Sequence, residues 1–178
     1  MLGVVFTEFL EMVEEKFSFD VSDKLLDAIS DDHSGSFTAV GDYDHATLVK
    51  MVVELSKETN IEIADLIRVF GAHLFHQFSI KYPMFFEGMT SSLDFLEGIE
   101  DRIHTEVRKL YPNAELPTFD CIRKDTKTLE MNYSSVRPFG DLAHGLIAGC
   151  ADHFKEEVTI QRNDIDGSNK VQFIVSVV

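Results

Sequence analysis

The sequence predicts an α+β fold in which helices come first and an antiparallel sheet closes the chain. Two observations carry this. Apolar residues recur at three- and four-residue steps as far as Leu110, and beyond Pro112 and Pro117 the pattern changes to short strand-like runs with hairpin connections. One helical segment interrupts the strands. No internal repeat occurs and no linker is long enough to separate a pair of domains, so the 178 residues read as one domain with a sizeable core.

Phe6, Phe9, Leu10, Val13 and Phe17 set an amphipathic helix at the start of the chain. Residues 21–29 read as a second helix, followed by a turn-rich loop of Asp, Ser and Gly over residues 30–42. Residues 44–59 are helical in pattern, with Asp44 as N-cap and Leu48, Met51, Val52 and Leu55 on the inner stripe. A longer helix over residues 62–81 places Leu66, Phe70, Leu74 and Phe78 on one face, and Pro83 closes it. Residues 91–110 read as one helix whose stripe is Leu96, Ile99, Ile103, Val107 and Leu110, with His104 at its edge. Residues 119–123 and 128–135 are strand-like and joined by the polar stretch 124–127. A short helix is predicted over about residues 138–155, with Pro138 in its first turn. Residues 158–162 and 170–178 form a second hairpin around Asp166-Gly167.

Hydrophobic residues make up 44% of the chain, which sets disorder aside. Fifteen phenylalanines and no tryptophan suit ordinary core packing first, and a large flat apolar ligand second. A formal charge of −15 argues against nucleic acid and anionic membrane and favours a basic partner surface. Cys121 and Cys150 are the only cysteines and form no CxxC, so reduced thiols are expected, without a disulfide or zinc framework. Residues 1–17 have no basic n-region, and no apolar run approaches the ~20 residues a membrane span needs. The expectation is a soluble, cytoplasmic protein.

The string Tyr133-Ser134-Ser135-Val136-Arg137 has the form Tyr-x-Ser-x-Arg. In an extended stretch the alternating residues Tyr133, Ser135 and Arg137 leave one face, offering two hydroxyls and a forked guanidinium. That set fits one or two carboxylates. With His104 upstream on a helix, it supplies what haem needs: an axial nitrogen for iron and anchors for propionates. Neither half is specific alone. A lone helix histidine is more often a partly buried polar residue, and the string also suits an ordinary hairpin edge. The other histidines have the bland reading: His33 and His45 in or beside the acidic loop, His73 and His76 off the Leu74/Phe78 face, His144 and His153 on the short helix with inner stripe Leu142, Leu146, Ile147 and Cys150. None forms an H-E-x-x-H pair, and no glycine-rich phosphate loop is present.

Taken together and in this order, these residues resemble the H-NOX (haem nitric oxide/oxygen binding) family of gas-sensing haem domains. The resemblance spans nearly the whole chain, from Met1-Leu2-Gly3-Val4-Val5 to Phe154-Lys155-Glu156-Glu157. It implies an N-terminal helical subdomain, about residues 1–60, packed on a C-terminal subdomain, about 61–178, with the sheet and additional helices and haem b buried between them. It implies His104 as sole proximal ligand of the haem iron, and Tyr133, Ser135 and Arg137 as propionate anchors. Pro117 matches the proline that holds the porphyrin out of plane. Members that bind O₂ stably have a distal tyrosine where this chain has Leu142. The matching distal wall is Val5, Phe9, Leu74, Phe78, Leu142 and Leu146, all apolar. Bound O₂ gains from a nearby donor far more than NO or CO does, so the resemblance implies the NO-selective subgroup. Many bacterial members carry a cysteine-rich zinc site near the C-terminus; with no cysteine after Cys150, none is expected here.

The expectation is therefore a stand-alone, monomeric bacterial-type sensor and not an enzyme. It binds NO, and also CO, at a five-coordinate ferrous haem and signals in trans to a histidine kinase or a cyclic-di-GMP enzyme, because 178 residues leave no room for an output domain. NO is expected to weaken the bond to His104 and, with Pro117 pressing, to let the distorted haem flatten. The rivals are a haem-dependent redox enzyme, which wants a distal acid–base residue, an O₂-binding haem protein, and a binder of another flat carboxylated ligand.

Overall fold

The computed structural model describes residues 1–29, 36–112 and 114–178; His33 and the beginning of the predicted 30–42 loop lie outside the described residues. The chain forms two compact units, Met1–Phe70 and Gly71–Val178.

The first unit holds α1 (Gly3–Lys16), α2 (Phe19–Ala28), α3 (His45–Thr59) and the start of α4 (Ile63–Lys81). Local signals set the ends of these helices. Ser18 Oγ accepts from the Val21 N–H to start α2, Asp44 Oδ1 accepts from the Ala46 N–H to start α3, and Asn60 in the left-handed region (φ 56°) stops α3. The apolar stripes converge on Phe6, Phe9, Met12, Met51, Leu55 and Phe70, all essentially sealed from solvent. Each such side chain contributes about 1.5–3 kcal/mol through burial. Phe9 and Phe70 meet edge to face with ring centroids 5.2 Å apart. Gly3 admits no side chain: a Cβ there would lie 1.9 Å from the Thr38 carbonyl oxygen.

The second unit holds the rest of α4, a 3₁₀ turn (Pro83–Phe86), α5 (Ser92–Glu97), a π-helical stretch (Ile99–His104), α6 (Thr105–Leu110), β1 (Thr118–Arg123), β2 (Thr128–Ser134), α7 (Gly140–Phe154), β3 (Val158–Asp166) and β4 (Lys170–Val177). The strands form one antiparallel sheet in the order β1-β2-β4-β3. The α+β class read from the sequence is the class this chain adopts. Alternation along β2 buries Leu129, Met131 and Tyr133, and the register lines Tyr133 up with Phe119 on one side and Val171 on the other. Gly167, at φ 52°, makes the β3–β4 turn. Helices α4 and α7 cross at backbone contact, since a Cβ on Gly71 would fall 2.5 Å from the Leu142 carbonyl oxygen and one on Gly149 would fall 2.9 Å from that of Ala72.

Three sequence expectations need correction. Residues 91–110 are not one regular helix: Gly98, a weak helix former, breaks it after α5, and the chain resumes with a π-helical stretch. The wider turn shifts the phase of the stripe, so Leu110, expected inside, is 66% exposed, while His104, expected at the edge, is only 8% exposed. Strand β2 ends at Ser134, so Ser135 and Arg137 are not on an extended strand. Pro138 lies outside α7, which starts at Gly140 after an N-cap at Phe139. Among the described residues, no helix is long and apolar enough to cross a membrane.

Candidate functional site

His104 ends the π-helical stretch with its ring directed into the second unit and nearly sealed. Its Nδ1 lies 2.8 Å from Glu100 Oε1, one helical step back. The same carboxylate oxygen accepts from the Phe119 N–H at 2.9 Å, tying the helix to the first strand of the sheet. Burial pushes the His104 pKa below its ordinary value, while Glu100 pulls it back up and Arg108 opposes that. The neutral imidazole is therefore favoured. A carboxylate can only accept, so Nδ1 carries the proton and Nε2 presents a lone pair. Among the described residues Nε2 makes no hydrogen bond.

Tyr133, Ser135 and Arg137 are brought together, but by a turn and not by strand alternation. Ser135 is held against the β3–β4 turn through its N–H on the Asn169 carbonyl (2.9 Å) and its carbonyl on the Asn169 amide (3.0 Å). Ser135 Oγ then accepts from the Arg137 N–H at 3.0 Å, a local bond that bends the chain and folds Arg137 back. The Tyr133 side chain is buried, and burial raises its pKa, with the Ser135 hydroxyl and the Arg137 charge both close enough to pull the other way. Its hydroxyl reaches the Arg137 carbonyl only at 3.5 Å, too long to hold its proton firmly. Arg137 itself donates to the Glu115 carbonyl at 2.9 Å and to the Glu115 carboxylate. Phe119 lies between His104 and the Tyr133–Arg137 segment, its ring 6.0 Å from that of His104 and 5.4 Å from that of Tyr133.

Pro117 is half-buried immediately before β1, two residues from Phe119. Leu74 on α4 is buried, and Phe78 is half-buried on the same helix. Leu142 and Leu146, also half-buried, flank Gly145 where α7 crosses α4 at Gly71. Val5 is half-buried and Phe9 fully buried within the first unit. His153 lies in an aromatic cluster, 4.7 Å from the Phe86 ring centroid. Sequence reasoning missed Glu100, Glu115 and Asn169. Glu100 was findable, because i,i+4 spacing puts a carboxylate beside His104 on a helix. Nothing in the pattern singles out Glu115 or Asn169.

The haem implied by the resemblance needs one nitrogen for iron and donors for two carboxylates, and these residues fit it. The nitrogen is the bare Nε2 of a buried, neutral His104. The donors are the Tyr133 and Ser135 hydroxyls and the N–H groups of Arg137 not engaged by Glu115. Among the described residues, no group of three or more His, Cys, Asp or Glu side chains is placed to hold a metal ion.

Known proteins resemble this chain over nearly its whole length. A family model described as haem-NO-binding matches residues 2–162. The Fe(II) unliganded H-NOX protein mutant A71G from K. algicida is similar at 34% identity and TM-score 0.93, over 100% of this chain and 97% of that one. The H-NOX from Shewanella woodyi, solved bound to IWP-051 in the Fe(II)CO state, is 39% identical with TM-score 0.86, over 100% and 95%. An H-NOX protein from S. oneidensis in the Fe(II)NO state is 25% identical with TM-score 0.91, over 100% and 99%. No curated protein matches by sequence.

Proposed function

This chain belongs to the haem-NO-binding (H-NOX) family, whose domains are haem-based gas sensors and not enzymes, and we propose that within it the chain is an NO-selective sensor built on haem b. When bound, haem supplies an iron with one open position for a diatomic gas. His104 Nε2 would hold that iron as the only protein ligand, with Tyr133, Ser135 and Arg137 anchoring the propionates and Pro117 bearing on the ring. The observation that carries the reading is His104 itself, a buried neutral imidazole whose Nδ1 is satisfied by Glu100 at 2.8 Å and whose Nε2 is bare.

Selectivity follows from what the proposed wall lacks. Leu74, Phe78, Leu142 and Leu146, its members within Gly71–Val178, bring no hydrogen-bond donor to the gas, which disfavours O₂ far more than NO or CO. Solved relatives in Fe(II)NO and Fe(II)CO states support NO and CO as ligands. The same wall offers no acid–base residue for O–O cleavage, which speaks against a redox enzyme. The signal would pass in trans, from a monomer, to a histidine kinase or a cyclic-di-GMP enzyme.

A visible spectrum tests this directly. Protein purified with adequate haem should show a ferrous Soret band that shifts with NO and with CO and is unaltered by air before oxidation. Absence of a Soret band sinks the haem reading, and a stable ferrous–O₂ complex sinks the selectivity. Leu142→Tyr should then confer measurable O₂ affinity, since only a donor is missing.

A further inference from the structure

We propose that Glu100 is a positioning residue that sets the strength of the His104–iron link, an inference that rests on the haem reading above. Both ends of Glu100 are tied down. Its carbonyl accepts from the Thr105 N–H and, at 3.0 Å, from Thr105 Oγ1. Its Oε1 accepts from the Phe119 N–H at 2.9 Å and from His104 Nδ1 at 2.8 Å. Its Oε2 faces Arg108 at 3.4 Å. The carboxylate is thus held between a helix and a strand, and the imidazole plane is fixed by a partner that cannot drift.

Two consequences follow for Nε2. The ring cannot flip, because only Nδ1–H satisfies an acceptor-only partner. A full negative charge on that partner also makes the imidazole a stronger electron donor through Nε2 than a backbone carbonyl would. Arg108 shares part of that charge and moderates the effect. Glu100 would therefore govern how firmly His104 holds the iron of bound haem.

The experiment uses the haem-loaded full chain. It reads the ferrous iron–imidazole stretching band by resonance Raman, and the rate of haem transfer to excess apomyoglobin. Glu100→Gln keeps an oxygen for both Nδ1–H and Phe119 N–H but removes the charge. Its band should move to lower frequency, with haem transfer faster by a smaller factor than in Glu100→Ala, where about 10–100-fold is expected. Arg108→Ala should move the band the opposite way, which a merely structural role for Glu100 does not predict. A wild-type band position in Glu100→Gln overturns the inference, and this variant decides the matter even if Glu100→Ala fails to fold. A wild-type protein without a Soret band overturns the haem reading and this inference with it. A wild-type Soret band with an unmoved Glu100→Gln band removes this inference alone.

Discussion

The two units bury different kinds of interior. In Met1–Phe70 the centre is packed with hydrocarbon around Phe6, Phe9, Met12 and Leu55, with Glu8, Ser22 and Thr47 as its buried polar residues. Gly71–Val178 also buries hydrocarbon, but directed polar contacts run through it. His104 meets Glu100, Glu156 caps the start of α5 through the Ser92 N–H at 2.9 Å, and Arg162 pairs with Asp141 at 2.5 Å. Hydrophobic packing is non-directional and selects for volume, whereas a hydrogen bond selects for angle. Gly71–Val178, which carries His104 and the Tyr133–Arg137 segment, adds such angular constraints to its packing.

Four experiments break or sharpen this contrast, in falling order of effect. His104→Gly should abolish stable haem retention, with recovery on adding imidazole; unchanged haem content and ferrous spectrum would remove His104 as the ligand. Phe6→Ala should cost about 3–5 kcal/mol in urea unfolding, while the volume-conserving Met12→Leu should cost less than about 1.5 kcal/mol. A large loss in Met12→Leu would show that the first interior is also geometrically exacting. Arg137→Ala should weaken haem retention by about 1.5–3 kcal/mol, a charge-assisted contribution, and Ser135→Ala by less. Equal off-rates for the two would count against the clamp.

The smallest effect concerns the thiols. Burial pushes the Cys121 thiol up to about 12 and raises Cys150 as well. Both should resist iodoacetamide at pH 8 in the folded protein and react once it is unfolded in urea. Because the unfolded state gives up these protons first, their contribution to stability is present below the ordinary thiol range and is lost as pH rises from there through the raised folded-state value, about 12 for Cys121. Fast labelling of the native protein would contradict the burial.

Much of this was legible in the sequence, for reasons that differ by residue. Leu48, Met51, Val52 and Leu55 declare α3 because the apolar period and the Asp44 cap agree. The hairpins follow from alternation and from Asp166-Gly167, where the chain needs a positive φ. His104, Tyr133, Ser135 and Arg137 stood out by chemistry and order. What was not legible depends on long-range geometry. The Ser135 bend needs Asn169 from another hairpin, and the Arg137 fork needs Glu115 from the connection before β1. The irregular stretch after Gly98 was hidden because apolar spacing over residues 91–110 is compatible with an ordinary α-helix, and only the packing of His104 against β1 reveals the slip.

That slip makes the direction of His104 a matter of counting. Between Gly98 and Thr105 the backbone accommodates one residue more per turn than an α-helix would. Wound instead as a regular α-helix, residues 99–104 would carry everything beyond them about 100° further around the axis. The imidazole would then leave Phe119 and face water, with every side chain of the site still present. In an evolutionary sense the information of this segment lies in its winding: a change there that favours regular α geometry would turn the imidazole away without altering His104, Glu100 or Phe119.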